Sequence, residues 1–212
     1  MLSPLQGHNG PHVVQRGPEE PGVTLTERRL VSLAQVAAWP DTRDQVSDTV
    51  ASLLRCAPPQ GPAGSSGDAE GAILALAPGR LMVESRDPRL ARRLAEQIGP
   101  ALGAVTDLSH ARIAIRVSGP KAAWVLAKGL ALDLHPQAFP PLRVAQSAVH
   151  GVGVIVRRLS PDKLGGDKHG GDKLGSDSFD LYVYRGFALS FWEWLTAAAA
   201  ETGYRVDPPG SA

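Results

Sequence analysis

The stretch TDLSHARIAIRVSGPKAAWVLAKGLALDLHPQAFPP, residues 106–141, decides how the chain folds. Ile113, Ile115 and Val117 alternate with Arg112, Ala114 and Arg116, the two-residue period of a strand with one buried face. Ser118-Gly119-Pro120 then stops the strand and opens a helix. Proline suits a first helical position because it has no N–H to leave unpaired and its ring presets φ. Ala123, Trp124 and Ala127 make an apolar stripe, and Gly129 suits a left-handed helix cap. Asp133-Leu134-His135-Pro136 is expected as a short return strand closed by prolines.

Upstream, AILAL (72–76) and LMVES (81–85) flank Pro78-Gly79, a pair that fits the centre of a type II turn. Asp87 and Pro88 signal a helix start, Leu90, Leu94 and Ile98 repeat every four residues, and Gly99-Pro100 ends the pattern. Residues 72–136 are therefore expected to form a ferredoxin-like α+β subdomain, with helices on one face of an antiparallel sheet. Downstream, 142–149, 151–159 and 179–184 read as strands. A helix over 187–202 carries Phe187, Phe191, Trp194, Leu195 and Ala198 on one stripe and stops at Gly203. After Pro40, Asp41 and Asp44 mark another helix start, followed by Val46, Val50, Leu53 and Leu54 and closed by Pro58-Pro59. These pieces assign 24–56 plus 137–206 to a second α+β subdomain. Residues 28–38 stay open between a short helix and a buried strand.

Three segments lack apolar periodicity. Residues 1–23 carry four prolines and several glycines and are expected to be a disordered N-terminal arm. Residues 57–71 (APPQGPAGSSGDAEG) look like a linker and a domain boundary. Residues 160–178 repeat Asp-Lys at Asp162, Asp167 and Asp172 and are expected to be a low-complexity, disordered loop. They do not make a P-loop, because each lysine follows an aspartate rather than the required glycine.

The totals exclude several classes of function. With 22 basic and 21 acidic side chains the net charge is +1, which lacks the basic excess of a nucleic-acid binder. Cys56 is the only cysteine, so an intrachain disulfide is impossible, and its place at a helix end, with Arg55 as the one adjacent cation, points to an inert thiol. No apolar run reaches the roughly 20 residues that span a bilayer, and the N-terminus shows no signal pattern. A cytoplasmic location is the simplest expectation.

Candidate chemistry is sparse. Asp107, Ser109 and His110 bring together the residue types of a hydrolytic triad, but Ser109 and His110 alternate faces on an extended chain, which favours a structural role at a strand bend. His8 and His12 lack a third ligand nearby. Asp133 and His135 share a face of the expected return strand, where they can pair or meet a partner. Arg185 suits a local salt bridge. Trp192 lies about 115° off the centre of its helix stripe at about 100° per residue, so it is either tucked under a strand or offered to a partner. No glycine fingerprint for a dinucleotide is present.

The wording TDLSHARIAIRVSGP, LAKGLALDLHPQAFPP and FDLYVYRGFALSFWEWLTAAAAETGY (179–204) strongly resembles the gamma subunit of heterotetrameric sarcosine oxidase. More distantly it is similar to the folate-binding aminomethyltransferase fold of the glycine cleavage T-protein. The resemblance implies two packed ferredoxin-like, aminomethyltransferase-like α+β sandwiches and a non-catalytic accessory role beside alpha, beta and delta subunits, alpha most directly. That assembly demethylates sarcosine to glycine oxidatively, reduces oxygen to hydrogen peroxide and passes the methyl carbon to tetrahydrofolate. FAD, FMN, NAD and tetrahydrofolate are then expected in the partner subunits. The resemblance to the T-protein also singles out Asp180, in Phe179-Asp180-Leu181, as a folate candidate, although the turn that supports that position in relatives is replaced here by the Asp-Lys-Gly repeat. The alternative this opens is a free-standing folate-binding aminomethyltransferase-like protein. With Asp133 and His135, Trp192 completes the expected partner interface.

Overall fold

The structure, a computed structural model, describes residues 3–16, 20–68, 70–160 and 177–211, with the backbone alone at Ser211. In chain order the described strands are β1 (His12–Val14), β2 (Val23–Arg29), β3 (Ser32–Ala38), β4 (Ser65–Gly67), β5 (Gly71–Ala77), β6 (Arg80–Ser85), β7 (Gly103–Asp107), β8 (Arg112–Gly119), β9 (Val144–Val149), β10 (Val152–Arg158), β11 (Asp177–Tyr184) and β12 (Tyr204–Ser211). The helices are α1 (Arg43–Leu54), α2 (Leu90–Leu102), α3 (Ala122–Ala127) and α4 (Ala188–Ala199). The fold is α+β, as expected, and its sheets are antiparallel except where β12 runs parallel to β2.

The chain divides into two compact units, and not where the sequence suggested. One unit takes Met1–Arg29, Arg112–Pro141 and Gln146–Ser211; the other takes Leu30–Ala111 and Leu142–Ala145. The expected subdomain 72–136 is therefore cut at Arg112, and the expected partner piece 24–56 is cut after Arg29. Hydrogen bonding decides this. Residues 32–38, ambiguous in sequence, form β3, which pairs with β6 on one side and β7 on the other and so joins the 72–85 hairpin. β8 finds β2 and β11 instead. The segment 57–71 is not a boundary either: it lies inside one unit, supplies β4, and ties back through Ser65, whose N–H donates to the Leu142 carbonyl at 2.7 Å.

In the Leu30–Ala111 unit, a five-stranded sheet of order β4-β5-β6-β3-β7 carries α1 and α2. Ala34 and Val36 of β3, Ile73 of β5 and Val83 of β6 face Val46 and Val50 of α1 and Leu90, Leu94 and Ile98 of α2, and all are buried. The turn between β5 and β6 places Gly79 at φ +72°, the left-handed position that the Pro-Gly pair anticipated. Gly99 breaks the helical path within α2 at φ +58°, beside Pro100.

In the other unit a seven-stranded sheet has the order β1-β12-β2-β8-β11-β10-β9. Its apolar face presents Leu25 of β2, Ile115 and Val117 of β8, Phe179 and Leu181 of β11 and Val156 of β10, and is packed by α3 and α4. The expected strand and helix at 112–127 are present, but α3 begins two residues after Pro120. Gly129 is not a left-handed cap. Its value is its lack of a side chain, since a Cβ there would lie 2.4 Å from Cζ2 of Trp194 in α4. The expected return strand at 133–136 is a turn that buries Leu134 and exposes Asp133 and His135, and in it the Asp133 carboxylate accepts the His135 N–H at 2.9 Å. In α4 the buried stripe is Ala188, Phe191, Trp192, Leu195 and Ala199, rotated from the expected one.

In its described residues, 3–16 and 20–23, the N-terminal segment is packed on the sheet and is not a disordered arm. β1 pairs with β12, Leu5 is fully buried, and the Glu27 carboxylate accepts the Ser3 hydroxyl at 2.5 Å and the Asn9 amide. A buried leucine and two charge-assisted hydrogen bonds offset the chain entropy that the proline-rich composition had suggested would prevail. The Asp-Lys repeat expected to form a disordered loop falls at 161–176, outside the described residues.

Leu5→Ala is expected to lower the unfolding free energy by about 2–5 kcal/mol through the cavity it leaves, read by urea denaturation; an unchanged midpoint would show that the segment adds nothing to the fold. In the same assay Gly129→Ala is expected to cost about 1–3 kcal/mol by forcing Trp194 aside.

Candidate functional site

The second face of the seven-stranded sheet decides what this chain can do chemically. Strand alternation places Arg28 of β2, Arg116 of β8, Asp180 of β11 and Arg157 of β10 on one face, opposite the apolar one. Register then sets Asp180 directly across from Arg116 on one side and from Arg157 on the other.

Asp180 is completely buried, and its carboxylate is held from two directions. Arg116 forks onto it, Nε to Oδ1 at 2.8 Å and Nη2 to Oδ2 at 3.0 Å, while Arg28 Nη1 donates to Oδ2 at 2.8 Å. The Tyr182 hydroxyl lies 3.5 Å from the same Arg28 nitrogen. Burial opposes ionisation of Asp180, but the guanidinium of Arg28, then that of Arg116, with Arg157 a lesser contributor, outweigh it and hold the carboxyl below its ordinary value of 3.8. A carboxylate offers about four acceptor positions, and the two arginines occupy three. Asp180, the folate candidate of the sequence, is thus a fully buried counter-ion to Arg28 and Arg116.

The other residues singled out by sequence are not assembled into a reaction centre. The Asp107 carboxylate accepts the Ser109 hydroxyl at 2.6 Å and its N–H at 2.9 Å, and these bonds lower the Asp107 pKa, the hydroxyl foremost. Ser109 Oγ in turn accepts the Leu33 N–H at 3.1 Å, so the trio stitches the end of β7 to β3. His12 Nδ1 meets the Gly10 carbonyl at 2.7 Å, and the ring packs edge-on to Tyr204. Cys56 is half-buried with its Sγ 3.8 Å from Ser66 Oγ. An open groove of about 660 Å³ is lined by Gln45, Asp48, Thr49, Ser52, Leu53 and Gln97; Asp48 is its one ionisable group, and Thr49 donates to the Gln45 carbonyl within α1. Trp192, offered in sequence as a partner contact, is 3% exposed and belongs to the core. Asp133 and His135 are exposed on their turn but engage backbone: Gln137 N–H donates to His135 Nδ1 at 3.3 Å.

Sequence reading missed two arrangements. Arg28 and Arg157 went unremarked because only cross-strand register brings them to Asp180. Arg158, itself buried, staples the 130–141 turn by donating to the Leu134 carbonyl at 3.1 Å and the Phe139 carbonyl at 2.8 Å, and it pairs with Asp177. A pair of arginines ending the apolar run GVIVRR (153–158) was the available signal.

Comparison with known proteins gives a consistent result. The model of the sarcosine oxidase, gamma subunit family matches residues 65–201. Sarcosine oxidase subunit gamma of an Arthrobacter species is 33% identical over 138 residues, 64% of this chain and 67% of that protein. Its namesake from Corynebacterium sp. (strain U-96) is 35% identical over 95 residues, covering 44% and 46% respectively. Among solved structures, a chain of the heterotetrameric sarcosine oxidase from Corynebacterium sp. U-96, in complex with pyrrole 2-carboxylate, superposes with a TM-score of 0.75 at 24% identity over 95% of this chain and 96% of that one. The glycine cleavage system aminomethyltransferase T from Bartonella henselae gives 0.59 at 16% identity, over 90% of this chain and 48% of that one. At these identities the two structural likenesses concern the fold.

Asp180→Ala is expected to destabilise the chain by about 3–5 kcal/mol, because it leaves buried guanidinium groups without their counter-ion. The pH dependence follows from the lowered carboxyl pKa. The stabilisation from Asp180 is complete above the unfolded value near 3.8 and is lost as pH falls through the lower folded value. Denaturant melts of wild type and Asp180→Asn should therefore differ most at neutral pH and converge below pH 3.8.

Proposed function

The chain belongs to the sarcosine oxidase gamma subunit family, and on that premise we propose that it works as an accessory, non-catalytic subunit of a heterotetrameric sarcosine oxidase. In this reading the assembly demethylates sarcosine to glycine, with oxygen reduced to hydrogen peroxide and the methyl carbon passed to tetrahydrofolate. FAD, FMN, NAD and tetrahydrofolate are bound by the alpha, beta and delta subunits, alpha is the most direct contact of this chain, and the complex works in the cytoplasm. Among the described residues no helix is long and apolar enough to cross a membrane.

The observation that supports the accessory role is the buried ion cluster, in which Arg28 and Arg116 both engage the Asp180 carboxylate. Asp180, the acidic position expected to meet a ligand in a folate-binding relative, is spent on Arg28 and Arg116. The gross fold of an aminomethyltransferase is retained, while its candidate ligand-binding carboxylate serves the core. The alternative, a free-standing folate-binding transferase, asks the same carboxylate to exchange an arginine for a pterin.

Co-expression of the tagged chain with the alpha subunit, followed by pull-down and a sarcosine-dependent peroxide assay of the assembly with and without this chain, tests the proposal. A stable complex whose activity or half-life falls when the chain is omitted is the expected result. A chain that ignores the alpha subunit, yet gives a saturable tetrahydrofolate heat in calorimetry, would make the transferase the correct reading.

A further inference from the structure

We propose that Tyr184, Phe187 and Leu189, with Arg112 beside them, form the surface through which this chain docks onto a different subunit of the assembly, one that enters with an apolar side chain flanked by a carboxylate. The inference rests on the accessory-subunit reading and adds where contact is made and by what chemistry.

The three side chains sit at the corner where β11 passes through a short 3-10 turn (Arg185–Phe187) into α4. They are 48%, 52% and 37% exposed, which puts two aromatics and a leucine within six consecutive residues on the surface. Two other exposed aromatics have their polar needs met inside the chain. The Trp124 ring is covered by the Lys128 ammonium at 3.9 Å, and that cation is neutralised by Glu201 at 2.8 Å. Trp39 donates its indole N–H to the Pro100 carbonyl at 2.9 Å.

Arg112 is different. Its guanidinium stacks over the Tyr184 ring at 3.9 Å and reaches the Tyr182 carbonyl at 3.4 Å, but no carboxylate among the described residues pairs with it. Its Nε–H is buried without a hydrogen-bond acceptor. A half-buried guanidinium that lacks a carboxylate and is stacked on an exposed aromatic gains a charge-assisted partner when a carboxylate arrives at its accessible edge. The stack also fixes the tyrosine, so less rotamer freedom is lost on binding. Aromatic and arginine side chains of this kind dominate interface energetics when an apolar partner closes over them.

The charge argues for a different chain over a second copy. An isologous contact centred here would set each Arg112 against the same cationic surface on its mate, a like-charge juxtaposition. An acidic, apolar element from another subunit meets no such cost.

The test uses the assembly purified without this chain as the binding partner, with affinity measured by interferometry. Phe187→Ser combined with Leu189→Ser, and separately Arg112→Gln, are expected to weaken binding at least tenfold. Val31→Ser, which alters an equally exposed apolar site in the other unit, should stay within twofold, and the thermal midpoints should match wild type. Added salt should weaken the wild-type complex more than the Arg112→Gln complex, since the variant has lost the ion pair. If wild type binds but both variants bind equally well, the surface is wrong and the accessory role stands. If wild type itself fails to bind, the accessory reading falls and takes the surface with it. A chain that self-associates through this patch, with the variants abolishing only that, would overturn the proposal in favour of a homodimer.

Discussion

A single carboxylate organises the larger sheet. Asp180 sits fully buried in β11, between β8 and β10, and draws Arg116 and Arg28 onto its two oxygens. An isolated carboxylate in such surroundings would sooner protonate than stay charged. The paired guanidinium groups reverse that preference, and they in turn need the carboxylate. The cluster therefore acts on register. Slipping β8 or β11 by one residue would turn Asp180 or Arg116 to the apolar face, where Ile115, Val117, Phe179 and Leu181 pack against the helices. Such a slip would also turn Ile115, Val117, Phe179 and Leu181 away from the helices, so the apolar face and the ion cluster specify the same register.

The same cluster marks the divide between the family's fold and its chemistry. The architecture of an aminomethyltransferase is present over most of the chain, and within it Asp180 is buried and paired with Arg28 and Arg116. A fold of this kind can carry a transferase site or carry none, so function has to be argued from the site rather than from the architecture. Asp180 is engaged internally, and at the corner between β11 and α4 the surface presents Tyr184, Phe187 and Leu189 with the half-buried Arg112 beside them.

Much of this was legible in advance. The alternation of Ile113, Ile115 and Val117, the Pro78-Gly79 turn and the repeat of Leu90, Leu94 and Ile98 each found their element, because side-chain period and turn chemistry are local signals. Residues 32–38 resisted for the converse reason. Leu33, Ala34 and Val36 are all buried, so both faces of β3 are covered and the alternation that distinguishes strand from helix is erased. The N-terminal segment misled through composition. Its prolines and glycines lower the cost of neither order nor disorder by much, and Leu5 with Glu27 settles the matter through contacts made with β2, far along the chain.

By itself, the sequence determined the α+β class, the family wording and the placement of most helices and strands, since these depend on local periodicity and on which side chains exist at all. Tertiary structure alone decided which strands became neighbours, and with that which unit each segment joined, that Asp180 is a counter-ion, that Trp192 faces inward and that Arg112 is left without an acidic partner among the described residues. Those outcomes rest on hydrogen-bond register between strands far apart in sequence. Register is a property of pairs of segments, and no single segment carries it.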